Sequence, residues 1–165
     1  MVILVAGEDK NKTLADTIQN ELNNTFKVTT LHLPDLLWPL FTVSKQKEHP
    51  KLNQFDQIID EMNAADAFMV VSPEYNGGVP PVLTNFISWI SVSSKDWRNT
   101  FMGKCVGIAS FSGSSGAQLV AILRIQLAYL GLNVIGIPLM ASYKKELNQD
   151  SLKQMVTQLN QLLYP

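Results

Sequence analysis

Four runs of consecutive apolar residues punctuate the chain: Val2 to Ala6, Ala67 to Val71, Cys105 to Ala109 and Val134 to Ile137. Apolar side chains at successive positions predict strands buried on both faces, as in a parallel sheet. Lys27 to Leu33 alternates more and predicts an edge strand. Between these runs the apolar residues recur every three or four positions: Leu14, Ile18 and Leu22; Leu52, Phe55, Ile58, Ile59 and Met62; Val82, Leu83, Phe86, Ile87 and Ile90. Leu119, Ile122, Leu123, Leu127 and Leu130 form a fourth helical stripe, with Gly131 placed to end it, and Leu152, Met155, Val156, Leu159, Leu162 and Leu163 a fifth. Strands alternating with helices predict a three-layer α/β domain, and right-handed crossovers leave few arrangements for it. We take the flavodoxin-like order 2-1-3-4-5. In that order a ligand meets the C-terminal ends of strands 1, 3 and 4, beside the topological switch point. The loops that matter are then Gly7 to Thr13, Ser72 to Pro81 and Ser110 to Ala117. Pro34 to Pro50 is long for a connection and is expected to be an ordered surface loop, suited to a lid or a subunit contact.

Composition narrows the class. With 165 residues, 46% of them hydrophobic, the chain is expected to form a single domain over 1–165. Its net charge of -1 supplies no field for nucleic acid or an anionic membrane. One cysteine, Cys105, and two distant histidines, His32 and His49, make neither a disulfide nor a familiar metal site. Cys105 falls inside a predicted strand and reads as a buried, inert thiol. No apolar run approaches the roughly 18 to 20 residues of a membrane span, and the short N-terminal run lacks the flanks of a signal peptide, which points to a cytoplasmic protein.

The loop after strand 3 reads Ser72-Pro73-Glu74-Tyr75-Asn76-Gly77-Gly78-Val79-Pro80-Pro81. Its glycines allow backbone conformations closed to other residues and its prolines stiffen the flanks, so it can aim main-chain N–H groups at a flat ligand with polar edges. Continued through Leu83, Asn85, Ile87 and Trp89, it resembles the P-E-Y-N-G-x-x-P-x-x-L-K-N-x-I-D-W signature of NADPH-dependent FMN reductases, with Thr84 for the usual Lys and Ser88 for the usual Asp. Ala65-Asp66-Ala67, the Gly113 to Gly116 loop and Leu123-Arg124 extend the resemblance over nearly the whole chain. It implies a flavodoxin-like fold and hydride transfer from NADPH or NADH through FMN to a small-molecule electron acceptor such as a flavin, a quinone or an azo compound. The cofactor carries that chemistry, so no acid, base or nucleophile is assigned. By resemblance, Pro73, Glu74, Tyr75, Asn76 and Gly77 back the isoalloxazine ring, Ser112 and Gly113 approach it from the other side, and the chain assembles as a homodimer or homotetramer. Arg124 reads as a surface or interface charge.

The first loop departs from the family. The usual G-S-x-R-x-x-S-x-N-x-x-L-A becomes Gly7-Glu8-Asp9-Lys10-Asn11-Lys12-Thr13-Leu14-Ala15, four residues shorter and without the arginine or the first serine. Lys10, Asn11, Lys12 and Thr13 are left to hold the FMN phosphate at a helix N-terminus. Glu8 and Asp9 oppose them: an unrelieved like-charge contact at about 4 Å costs roughly 4 kcal/mol at an effective dielectric of about 20. Two readings therefore stand: a flavin-dependent oxidoreductase, and a non-catalytic flavodoxin-fold binding protein that has lost FMN. A phospho-receiver fails because Ser72-Pro73 and Pro138 occupy the places of its aspartate and lysine. Rossmann, P-loop and nucleophile-elbow patterns are absent from the sequence. Trp89 reads as core or interface; Trp38 and Trp97 read as loop residues able to border a flavin pocket.

Overall fold

The structure, a computed structural model, describes residues 1–49 and 52–165. The predicted loop is thus described as far as His49, with Pro50 outside the described residues. The chain runs β1 (Val2–Val5), α1 (Lys10–Leu22), β2 (Thr29–His32), α2 (Val43–Glu48), α3 (Phe55–Ala64), β3 (Ala67–Val71), α4 (Pro81–Ile90), β4 (Cys105–Phe111), α5 (Ala117–Tyr129), β5 (Asn133–Val134), β6 (Leu139–Ala141) and α6 (Gln149–Leu163). The sheet is parallel in the order β2-β1-β3-β4-β5, the flavodoxin-like order expected from the sequence.

Each face of the sheet has its own core because the central strands are apolar at nearly every position, Ser110 of β4 being the polar exception. Leu4, Phe68, Val70, Val106 and Ile108 pack beneath α3, α4 and α5. Ile3, Val5, Met69, Val71 and Ala109 face α1 and α6. Burying such side chains fully contributes about 1.5 to 3 kcal/mol each. Ile122 and Leu162, counted in the helical stripes, are instead exposed.

The last strand departs from its expectation. The strand expected over Val134 to Ile137 is two short pieces, β5 paired with Cys105 and Val106 and β6 paired with Ala109 to Phe111, both against β4. Pro138 lacks the N–H that a continuous ladder needs, so pairing lapses and resumes beyond it. The long connection, expected to be an ordered surface loop, contains a 3-10 turn (Leu33–Leu36) and α2. Thr42 starts α2, its side chain accepting from the Lys45 N–H. Gly131 does close α5. With φ at 96°, it donates to the Ala128 carbonyl while Leu132 donates to that of Leu127, a Schellman motif.

Candidate functional site

The chain leaves β1 for β2 on one side and reaches β3 on the other, so the loops after β1 and β3 diverge at the C-terminal edge of the sheet. They stay in contact at one point. A Cβ built on Gly7 would lie 2.7 Å from Pro73 Cδ, so the first loop passes against the third only because residue 7 has no side chain.

Tyr75-Asn76-Gly77-Gly78 is a two-residue hairpin. Tyr75 and Gly78 exchange both backbone hydrogen bonds, at 3.1 and 2.9 Å, while Asn76 and Gly77 have φ of 51° and 73°. Two positive φ values define a type I′ turn, which Asn-Gly fills at least cost. Glu74 N–H donates to Ser112 Oγ at 3.1 Å, and Pro73 has no N–H. Among the described residues the amides of Asn76 and Gly77 have no acceptor. These two, of the whole Pro73 to Gly77 stretch, remain able to meet a ligand's acceptors. Tyr75 is exposed beside them.

Ser112 and Asn11 are spent internally. Ser112 is buried, its hydroxyl 2.6 Å from that of Ser110 and its N–H on the Ala141 carbonyl. The Asn11 side chain both donates to and accepts from the backbone of Phe111, each at 3.0 Å, which latches α1 to the end of β4. These are positioning roles. Gly113 remains open, with nothing near the place of its missing Cβ.

α1 begins without a side-chain cap. Asn11 N–H reaches the Glu8 carbonyl and Thr13 N–H that of Asp9, while the amides of Lys10 and Lys12 have no acceptor among the described residues. The Lys10 side chain is exposed, Lys12 pairs with Asp35 at 3.3 Å, and the Thr13 hydroxyl bonds the Asp9 carbonyl at 3.2 Å. Glu8 and Asp9 are both exposed. Asp9 sits at φ 43°, ψ -108°, a region that costs a non-glycine residue about 1 to 3 kcal/mol. Asp9→Gly is therefore expected to stabilise the chain by roughly 1 kcal/mol. Removing the charge should also strengthen FMN binding without changing riboflavin binding. Paired thermal melts and flavin titrations check both; an unchanged melting temperature would show that Asp9 is unstrained.

The second half of the signature has a structural use that the sequence concealed. Asn85 accepts from Phe41 N–H at 2.7 Å and donates to the Pro39 carbonyl at 3.1 Å; Trp89 Nε1 donates to the same carbonyl at 2.8 Å. Together they tie down the loop after β2. Trp38 stacks on Phe86 within it, at the C-terminal end of the sheet. Trp97, by contrast, packs on Phe101 in the segment leading into the N-terminal end of β4, away from the switch point. Burial pushes the Cys105 thiol up, which favours its protonated form. The Arg124 guanidinium holds the Gly136 carbonyl at 2.6 Å, between β5 and β6.

Open amides at a helix N-terminus suit a phosphate dianion, and a rigid hairpin edge with two open N–H groups suits a flat heteroaromatic ring. The residues present therefore fit a flavin mononucleotide. In sequence, the family profile described as NADPH-dependent FMN reductase matches residues 2–146. The chain belongs to the NADPH-dependent FMN reductase family. An FMN-dependent NADH:quinone oxidoreductase of Burkholderia thailandensis is 30% identical over 105 residues, 54% of this chain and 53% of that one. An NAD(P)H-dependent FMN reductase of Saccharomyces cerevisiae is 26% identical over 131 residues, 73% of this chain and 65% of that one. The matched stretches cover between 27% and 53% of the length of the quinone oxidoreductases. In fold it is similar to the flavoenzyme NAD(P)H:(acceptor) oxidoreductase FerB from Paracoccus denitrificans, with a TM-score of 0.74 at 18% identity, covering 98% of this chain and 93% of that one. FMN and a nicotinamide nucleotide are the cofactors that membership of the FMN reductase family implies.

Proposed function

We propose that the protein is an FMN-dependent NAD(P)H oxidoreductase that passes reducing equivalents to a flavin, a quinone or an azo acceptor. The observation that carries this reading is the Tyr75 to Gly78 hairpin, whose free amides at Asn76 and Gly77 stand at the switch-point edge of the sheet, where the open N-terminus of α1 also lies. A flavin mononucleotide held there would supply the redox chemistry that links NADPH or NADH to the acceptor. The protein's share is binding and orientation. The hairpin supplies a stiff wall and hydrogen-bond donors for the ring, Gly113 leaves space opposite, and the amides of Lys10 and Lys12 with the Lys10 ammonium hold the phosphate against the charge of Glu8 and Asp9.

The working unit we infer is one domain over 1–165, assembled as a homodimer or homotetramer in the cytoplasm. Exposed Leu37, Leu40 and Val43 after β2, and Ile122, Ile125 and Tyr129 on α5, support the assembly, since large apolar side chains grouped on a surface mark contact sites. Among the described residues no helix is long and apolar enough to cross a membrane. Titration of flavin-free protein with FMN and riboflavin, followed by flavin fluorescence, tests the reading. FMN should bind at least about tenfold more tightly than riboflavin, as charge-assisted phosphate contacts warrant. NAD(P)H oxidation with a quinone acceptor should then follow. Binding of neither flavin would instead favour the non-catalytic reading that Glu8 and Asp9 suggest.

A further inference from the structure

Glu74 belongs to the hairpin segment, yet its side chain leaves the hairpin. Oε2 accepts from the Leu119 N–H at 3.1 Å and Oε1 accepts from the Ser114 hydroxyl at 2.7 Å. Leu119 is the third residue of α5, whose own N-cap is Gly116, a residue at φ 68° with no side chain to offer. The Ala117 N–H reaches the Ser115 hydroxyl at 3.4 Å, but the Leu119 N–H finds no acceptor near it in the chain, and the carboxylate satisfies it and complements the helix dipole. α5 thus takes its cap from another loop, 45 residues earlier in the chain. The same residue's N–H is held by Ser112 Oγ at 3.1 Å. Glu74 therefore grips the end of β4 with its backbone and the start of α5 with its carboxylate, and the next residue, Tyr75, opens the hairpin.

We propose that Glu74 is a positioning residue that fixes the spacing between the two walls of the flavin-ring site, the Tyr75 to Gly78 hairpin and the Gly113 to Gly116 turn. This rests on the flavin reading above. The physical reason is that neither wall is held by secondary structure at its ligand-facing end. The hairpin is a two-residue turn closed by one residue pair, and the turn carries two serines and two glycines before α5 begins. Without the carboxylate, their relative position would rest on the Glu74 N–H contact to Ser112 and on the neutral bonds around it. With α5 already capped by the carboxylate, the phosphate is left to the N-terminus of α1. Ring and phosphate are accordingly governed by different residues, and their effects separate.

The test compares Glu74→Ala and Glu74→Gln with the unaltered protein, each titrated with FMN and with riboflavin. E74A should lose about tenfold in affinity for both flavins alike, the scale of lost charge-assisted hydrogen bonds. E74Q, which keeps a neutral acceptor, should recover part of that loss, again equally for both. Asp9→Gly provides the contrast, changing FMN affinity alone. In the flavin-free chain, hydrogen exchange at the Leu119 amide should accelerate in E74A and less in E74Q. Should E74A fail to fold, E74Q carries the comparison with a smaller, equal loss. A folded E74A with unchanged riboflavin affinity overturns the proposal, as does a loss confined to FMN. If the unaltered protein binds neither flavin, the functional reading itself fails and takes this role with it, a result distinct from a silent E74A in a protein that binds.

Discussion

Asn11→Ala should lower the unfolding free energy by about 2 to 4 kcal/mol, a large share of the 5 to 15 kcal/mol typical of a domain. The side chain is 5% exposed and makes two hydrogen bonds of 3.0 Å to the backbone of one residue, Phe111, a hundred positions away. Removing it deletes both bonds and leaves the Phe111 N–H and carbonyl unpaired at the end of β4, where desolvation rather than the bonds themselves sets the cost. Asn11→Asp is the informative companion: a carboxylate accepts from the Phe111 N–H but cannot donate to its carbonyl, so it should keep part of the stability and lose the rest. Urea unfolding of the three proteins measures this. A loss below about 1 kcal/mol in N11A would mean that water already serves Phe111. Because Asn11 is the second residue of α1, the same substitution should loosen the helix end whose amides are open, and FMN affinity should fall with stability.

Gly7→Ala should separate the two loops that meet at the switch point. The added methyl would lie 2.7 Å from Pro73 Cδ, 3.1 Å from Pro73 Cγ and 3.0 Å from Asn11 Cβ. None of the three is the end of a flexible side chain: two belong to a ring and the third is fixed by its own backbone. Relief therefore has to come from movement of the backbone, which for overpacking of this kind costs typically about 1 to 3 kcal/mol. The movement carries the start of α1 away from Pro73 and thus from the hairpin, so the phosphate and ring contacts are no longer in register. We expect FMN affinity to fall at least about tenfold. At an FMN concentration a hundred times the original dissociation constant, ligand stabilisation would then drop from about 2.7 to about 1.4 kcal/mol. Melts with and without FMN report both quantities, and a G7A protein that gained as much from FMN as the original would show that the loops tolerate the shift.

Legibility varied along the chain for physical reasons. β1, β3 and β4 were readable because a strand buried on both faces must be apolar throughout, and α1, α4 and α6 because each buries one stripe against a single face. Ile122 was misplaced because α5 is apolar on its solvent side as well, so periodicity does not separate its faces. The last strand was overrun because Pro138 and Gly136 interrupt a ladder whose second piece, β6, is only three residues long. Tyr75 to Gly78 was recognisable since Asn-Gly at positive φ is a local property of two residues. The partners of Glu74, Asn11, Asn85 and Trp89 lie 38 to 100 residues away, and no local signal marks them.

What the sequence by itself determined is the central strands and the main helices, the family signature and the acidic first loop, since these depend on neighbours within a few positions. Only the tertiary structure decided that the signature's glutamate caps α5, that its asparagine and tryptophan anchor the loop after β2, that Asn11 and Ser112 are spent on the framework, and that the amides of Lys10, Lys12, Asn76 and Gly77 have no acceptor among the described residues. The reason is that a hydrogen-bonding group is available to a ligand only when nothing in the fold has claimed it. Which groups are claimed depends on chain segments brought together by the sheet.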